Sequence, residues 1–283
     1  GSQMKKSVKI ILGIISAAMA VVCVLCILYI VQYVRGNSLN DKLANDIASD
    51  MTVAVPKADT AGPEETAAPD AEPQPDAADA EPKKKFRSIN FDALTELNPD
   101  IYAWIDMPGS IINYAVVQSE DKDEFYSDHA VDGSYYSGGS IFSQRYNKRD
   151  FSDPVTVLYG HNRKNGTMFA TLNDFADPVY FEEHRTVYIY MSDAIYEYTV
   201  FAAYPHSSEH LLLCHDFTDE DEFNRYFDKL ADGVNTNYDR EMFPAFGDKV
   251  LTLSTCYKQN RMQRYLVQAK LTAQYSLLDA QAE

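Results

Sequence analysis

The chain has 283 residues, 46% of them hydrophobic and 12% aromatic, and a formal net charge of −17. That length and apolar content allow one good-sized folded domain with appendages. The charge excludes the basic footprint that nucleic-acid binding needs. The acidity is not confined to a tail: residues 89–283 hold 15 Lys and Arg against 31 Asp and Glu, a net of −16. With 20 Tyr and 14 Phe against 1 Trp, the composition suits a β-rich domain with half-buried aromatic positions.

In chain order, Gly1-Ser2-Gln3 before Met4 reads as a cloning remnant and is set aside, which makes residues 1–9 a short basic end. Residues 10–34 form an apolar run without charge. A bilayer-spanning helix needs about 20 such residues. A cleaved signal peptide has an apolar core of only about 7–15 residues and a small-residue cleavage site. Here Tyr29, Gln32 and Tyr33 close the run without an Ala-x-Ala site at its end. The expectation is an uncleaved single-pass membrane anchor. Lys5, Lys6 and Lys9 before the run put the N-terminus in the cytoplasm and the remainder outside the cell.

Residues 35–88 read as an extracytoplasmic linker. Residues 37–50 suit a short polar helix or a frayed continuation of the span. Residues 51–82 are almost wholly Ala, Pro, Asp, Glu and Thr, without hydrophobic periodicity. Such a stretch cannot offset its ordering entropy and extends by self-repulsion. Lys83-Lys84-Lys85 marks the boundary as a solvated hinge, and the folded domain is expected over residues 89–283.

That domain opens with a short helix over residues 88–97, with Phe91, Leu94 and Leu97 at helical spacing and Asn98-Pro99 as its stop. Strands follow at residues 102–106, 111–118, 140–142, 155–160, 186–191, 195–204, 249–255 and 265–275, separated by Gly, Pro and Asn/Asp clusters. So many short strands predict a mostly β fold closed, or nearly closed, into a barrel. A short helix is expected at residues 167–175. A longer one starts at Thr218 as N-cap, with Asp221 three residues on. Its apolar stripe is Phe223, Tyr226, Phe227 and Leu230, and Gly233 ends it. It packs on the barrel and is placed to wall a groove. Residues 211–213 read as an apolar strand end.

Four cysteines divide by position. Cys23 and Cys26 lie in the apolar run as small lipid-compatible side chains, leaving Cys214 and Cys256 in the folded part. A lone pair is a poor disulfide framework for a domain this large, so a reactive thiol is the sharper reading. The stretch Val250-Leu251-Thr252-Leu253-Ser254-Thr255-Cys256 is a strand ending in a cysteine, and Arg264 opens the next apolar strand after a polar turn. In an antiparallel hairpin these two positions face each other. A guanidinium beside a sulfur favours the attacking thiolate and can stabilise a tetrahedral oxyanion. Upstream, Val155-Thr156-Val157-Leu158-Tyr159-Gly160-His161-Asn162 is another strand that runs out into a histidine. A Cys–His pair needs closeness in space, not in sequence.

Taken together, Thr-Leu-Ser-Thr-Cys, the arginine eight residues later and Tyr-Gly-His-Asn resemble the sortase signature. The resemblance runs from about residue 89 to residue 271. Asn98-Pro99-Asp100-Ile101-Tyr102-Ala103-Trp104-Ile105, Asn113-Tyr114-Ala115-Val116-Val117-Gln118, Gly139-Ser140-Ile141-Phe142 and Gly166-Thr167-Met168-Phe169 are similar to segments of class B sortases. So are the extra N-terminal helix and the long helix after Phe217. The resemblance implies a closed sortase-type β-barrel of about eight strands. It implies a cysteine transpeptidase with Cys256 as nucleophile, His161 as general acid/base and Arg264 as oxyanion or positioning cation. Arg261 is the local rival of Arg264, but the family's arginine directly precedes the apolar strand. No cofactor is implied. The implied partners are secreted proteins bearing a C-terminal sorting motif and a cell-wall peptide amine as acceptor, with the membrane reached through the anchor. A pilin-type polymerase, a peptidase resolved by water and a membrane-tethered binding module are the alternatives.

The other histidines have plainer readings. His206, His210 and His215 surround Cys214, but their spacing matches no zinc pattern. Residues 120–124 and 219–222 are acidic runs without the form of a calcium loop, expected as solvated faces or helix starts. His129 and His184 are expected at the surface.

Overall fold

The computed structural model describes residues 2–46, 49–54, 83–233 and 236–277. Helix α1 runs over Ser2–Asp46, and its segment Ile11–Asn40 is long and apolar enough to cross a membrane. The frayed-continuation reading of residues 37–50 fits this helix, which continues unbroken to Asp46. Its last turns are not free: Leu39 and Leu43 pack against the core of the folded domain, and Arg35 Nη2 lies 3.4 Å from Asp132.

Strand β1 (Ser49–Ala54) pairs antiparallel with β2 (Lys83–Ser88), Ser49 opposite Ser88 and Ala54 opposite Lys83. The predicted linker between them, residues 55–82, lies outside the described residues. The hinge expected at Lys83-Lys84-Lys85 is instead part of a strand on the barrel. Phe86 is buried, with its ring centroid 4.7 Å from that of Tyr275 and 5.5 Å from that of Tyr188. On either side of it, Lys84 Nζ reaches Glu197 at 2.6 Å and Arg87 Nε donates to Asp106 at 2.8 Å. Burial pushes the Asp106 carboxyl up, and the Arg87 guanidinium opposes that shift. The packed domain therefore begins before residue 89. The physical reason is that lysine buries its stem while its charge stays paired, so a Lys-rich strand with one aromatic anchor looks solvated in sequence.

Helix α2 is Phe91–Leu97, capped by Asn90, whose side chain accepts from the Ala93 N–H. Then come β3 (Ile101–Asp106), β4 (Asn113–Val117), β5 (Ile141–Phe142), β6 (Val155–Tyr159), helix α3 (Pro178–Glu183), β7 (Thr186–Tyr190) and β8 (Ala194–His206). The C-terminal part holds α4 (Leu211–Cys214), α5 (Glu220–Asp228), β9 (Asn237–Tyr238), β10 (Val250–Cys256) and β11 (Arg264–Ser276). The strand order is β11-β10-β6-β5-β4-β3-β7-β8, with β9 appended to β8. The additional pairing of β8 with β11 closes the eight into a barrel, which removes its open edges. Most pairs are antiparallel; β10–β6 and β4–β5 are parallel. All eight strands expected from the sequence are present, and the mostly β, eight-stranded closed barrel is the fold.

Three local readings change. Residues 211–213 are helical, not a strand end, because β8 has already ended at His206. The N-cap of α5 is Asp219, whose carboxylate accepts from the Glu222 N–H, while Thr218 Oγ1 donates to Asp216. Residues 170–176 form a 3₁₀ turn in place of an α-helix. Helix α5 does bury Phe223, Tyr226 and Phe227, against Phe201, Tyr204, Val250 and Leu266, so its stripe is a core contact.

Candidate active site

Strand β10 is buried along its length until Cys256, which is half-exposed at its end. Beside it, parallel β6 sets Ser254 opposite Tyr159. Beyond β6 the chain stays tied to β10: the Gly160 N–H donates to Ser254 O at 3.1 Å, and Thr255 Oγ1 donates to Gly160 O at 2.7 Å. Glycine at position 160 keeps this passage open. A Cβ there would meet Ile141 Cδ1 at 2.5 Å and Phe169 Cδ2 at 2.7 Å. This close passage delivers His161 to the same rim as Cys256, 95 residues apart in sequence.

The Cys256 backbone is held from the same loop. Asn162 Nδ2 donates to Cys256 O at 3.0 Å, and Asn173 Nδ2 donates to it at 3.3 Å. Asn173 Oδ1 in turn accepts from the Lys258 N–H at 2.7 Å. The His161 ring is oriented by its Nε2–H, which donates to the Ser127 carbonyl at 2.7 Å and leaves Nδ1 as the ring nitrogen not engaged by that carbonyl. No hydrogen bond joins His161 to Cys256 among the described residues, though both line the same rim.

On the other flank, β10 and β11 form the expected hairpin with Cys256 opposite Arg264. Arg264 Nη1 donates to Cys256 Sγ at 3.1 Å. Arg264 is half-buried and also lies opposite His206 on β8, whereas Arg261 is exposed in the turn. The structure thus brings His161, Cys256 and Arg264 together. Cys214 is a free, exposed thiol, as Cys256 is a free, half-exposed one, so the two are not joined.

Two clefts meet at Cys256. The first, about 390 Å³, is a groove between Phe142, Tyr159, Leu211 and Leu266, with Arg264 at its end. Its other charged members are Glu124 and Glu209. Burial holds His206 below the usual imidazole range and pushes the Tyr159 phenol up, so both are neutral walls at pH 7. The second cleft, about 540 Å³, opens on the His161–Asn162–Arg163 side and reaches Lys258 and Arg261. Among the described residues no cluster of His, Cys, Asp and Glu is arranged to hold a metal ion. Instead His206 and His210 line the groove, with His210 Nε2–H donating to Gln144 Oε1 at 2.5 Å. The groove wall that sequence reading gave to α5 is built by the stretch from His206 to Leu211 ahead of it. Glu124, expected on a solvated face, lines the same groove. Neither placement has a sequence signal, since both depend on how loops fold across the barrel mouth.

Known proteins match this architecture. Residues 105–272 match the sortase domain. A sortase B of Listeria monocytogenes is 31% identical over 183 residues, 63% of this chain and 72% of the relative. One of Staphylococcus aureus is 28% identical over 166 residues, 59% of this chain and 67% of the relative. Among solved structures, sortase B from Bacillus anthracis aligns with a TM-score of 0.57 at 31% identity, covering 66% of this chain and 85% of that one. The Clostridium perfringens sortase B aligns with a TM-score of 0.59 at 27% identity, covering 65% and 100%. The chain belongs to the sortase family of transpeptidases. Within it, the relatives and the barrel with its added N-terminal helix place it in class B.

Proposed function

We propose that this chain is a membrane-tethered transpeptidase that cleaves a C-terminal sorting motif of secreted proteins and joins them to a cell-wall peptide amine. The observation that carries this reading is the Arg264 Nη1 to Cys256 Sγ contact of 3.1 Å on a rim shared with His161. Cys256 is the nucleophile. Its thiolate attacks a backbone carbonyl of the motif lying in the groove beside Tyr159. A carbon–sulfur bond forms, the peptide carbon–nitrogen bond breaks, and protonated His161 gives its proton to the leaving amine. Arg264, pre-positioned by the hairpin register, stabilises the oxyanion of the tetrahedral intermediate. An acceptor amine then attacks the thioester and gives its proton back to His161, and the thiolate leaves with the bonding electrons. The cycle closes without a cofactor.

The segment Ile11–Asn40 supports a single-pass anchor with the catalytic domain on the extracytoplasmic side, the lysines before it marking the cytoplasmic end. The division into a basic end at 1–9, an anchor at 10–34 and a linker stands as part of this proposal, with the linker, expected at 35–88, ending before β2 and the catalytic unit extended back to Lys83. The test is to incubate the full chain with Thr-containing motif peptides, with and without an amine acceptor. Ligation supports the transpeptidase. Hydrolysis alone makes it a peptidase resolved by water, and neither product makes it a binding module. Preference for a lysine side chain over a peptide amine selects the pilin-type polymerase.

A further inference from the structure

The cleft on the His161 side of Cys256 has the opposite sign from the molecule around it. The chain carries −17, yet this cleft is lined by Arg163, Lys164, Lys258 and Arg261 against a single carboxylate, Asp174. Lys164, Lys258 and Arg261 are exposed, and among the described residues none of them is in an ion pair. Arg163 is held in place: it lies over the rings of Tyr33 and Tyr136 at 5.2 and 5.1 Å and donates to Asn37 Oδ1 at 3.3 Å. The groove beyond Arg264 presents Glu124 and Glu209 instead. Four cations around one cleft of a strongly acidic protein raise the local concentration of anions there. They act beside the sulfur, because Cys256 and His161 line the cleft too.

We infer that this cationic cleft is the acceptor site, and that it selects an amine whose own molecule carries an anionic group, a carboxylate or a phosphate. The inference rests on the transpeptidase reading and adds the acceptor's chemical class. Two physical arguments converge on it. An acceptor attacks only as the free amine, and neighbouring cations disfavour the ammonium form, so the cleft raises the nucleophilic fraction of whatever amine it holds. The same cations repel a simple ammonium on its way in, so a productive acceptor needs compensating negative charge. A zwitterionic amine meets both conditions, with its anion against Lys258 and Arg261 and its nitrogen toward the thioester.

The experiment uses the full chain in a nonionic detergent with a cleavable motif peptide, and measures ligation to two matched pairs of amines. Glycylglycine is compared with glycylglycinamide, and O-phosphoethanolamine with ethanolamine, each corrected for its free-amine fraction. The expected result is that at least one anionic member exceeds its neutral match by about tenfold in kcat/KM, through KM, with the advantage shrinking in salt. The ratio should fall toward one in the Lys258→Gln, Arg261→Gln double variant, where the neutral amine in the same variant serves as internal reference. Advantage in the carboxylate pair alone points to a peptide acid, and in the phosphate pair alone to a phosphate-bearing carrier. Equal use of both members of both pairs, or a preference that survives the double variant, overturns the inference while leaving the transpeptidase reading intact. If no amine competes with water, the transpeptidase reading fails and takes this inference with it.

Discussion

The two sides of Cys256 are built differently. On the Arg264 side the groove is walled by barrel strands, neutral aromatic rings and the stretch from His206 to Leu211, and its one cation is pinned by the β10–β11 register. On the His161 side the cleft is walled by loops and crowded with exposed cations. A rigid wall with one fixed donor suits precise stabilisation of developing charge. Long exposed cations suit capture of a mobile, charged molecule, because each keeps its entropy and is screened by water. The contrast teaches that net charge hides function here: the sign that matters is set over a few residues beside the sulfur.

The sharpest way to break this contrast is to remove its centre. Cys256→Ala should abolish peptide cleavage, with both clefts left in place, and thermal melts should show the fold intact. Persistent cleavage would move the chemistry off Cys256 altogether. The next effect in size separates the two arginines. Arg264→Ala should lower cleavage by about 10²–10³, the typical loss for one oxyanion donor. Arg264→Lys should recover only part of it, since an ammonium lacks the planar fork. In cleavage assays without added amine, Arg261→Ala should fall far less than Arg264→Ala, because Arg261 lies in the exposed turn on the other side. Equal losses would reduce the two clefts to one diffuse electrostatic field.

Much of this division was legible in the sequence, and the limits of that reading are physical. Alternating strands ending in Cys256 and His161, and an arginine opening the next strand, fix three positions on one rim once the barrel closes. Gly160 allows the close approach, and the parallel β6–β10 register does the rest. The groove wall at His206–Leu211 was not legible, because a loop's path across a barrel mouth has no periodic signature. The cationic cleft was missed for a similar reason. Arg163 and Lys164 lie nearly 100 residues from Lys258 and Arg261, and each pair alone reads as solvated surface. The edge of the domain was misplaced because Phe86 is a single anchor among lysines.

That last point gives a prediction about stability in which the two clefts should not differ. Phe86 is 3% exposed and packs on Tyr188 and Tyr275, away from both clefts. Phe86→Ala should destabilise the domain by about 3 kcal/mol, the low end for a buried aromatic truncation. Below the melting transition, cleavage per folded molecule and the ratio of anionic to neutral acceptor use should both be unchanged. A melt that does not move would return residues 83–88 to the linker. A changed acceptor ratio would mean that β2 sets the shape of the cationic cleft.

The smallest expected effect concerns the second thiol of the folded part. Cys214 ends the short helix α4, three residues after Leu211, which does line the groove. Its side chain lies in neither cleft, is exposed to solvent and, among the described residues, has no cation or hydrogen-bond partner to organise it. Cys256 differs on each count: it is half-buried, accepts a hydrogen bond from Arg264 and stands where the two clefts meet. Exposure alone does not make a nucleophile; placement against an electropositive donor does. Cys214→Ser should therefore keep cleavage and ligation within about twofold, as expected for a surface substitution worth less than about 0.5 kcal/mol. Thiol labelling should show Cys214 modified without loss of activity when Cys256 is protected by a motif peptide. A loss in Cys214→Ser comparable to that of Cys256→Ala, in a variant that melts normally, would place part of the chemistry on the outer face of the groove wall. The comparison drawn across Cys256 would then have to be redrawn around two thiols.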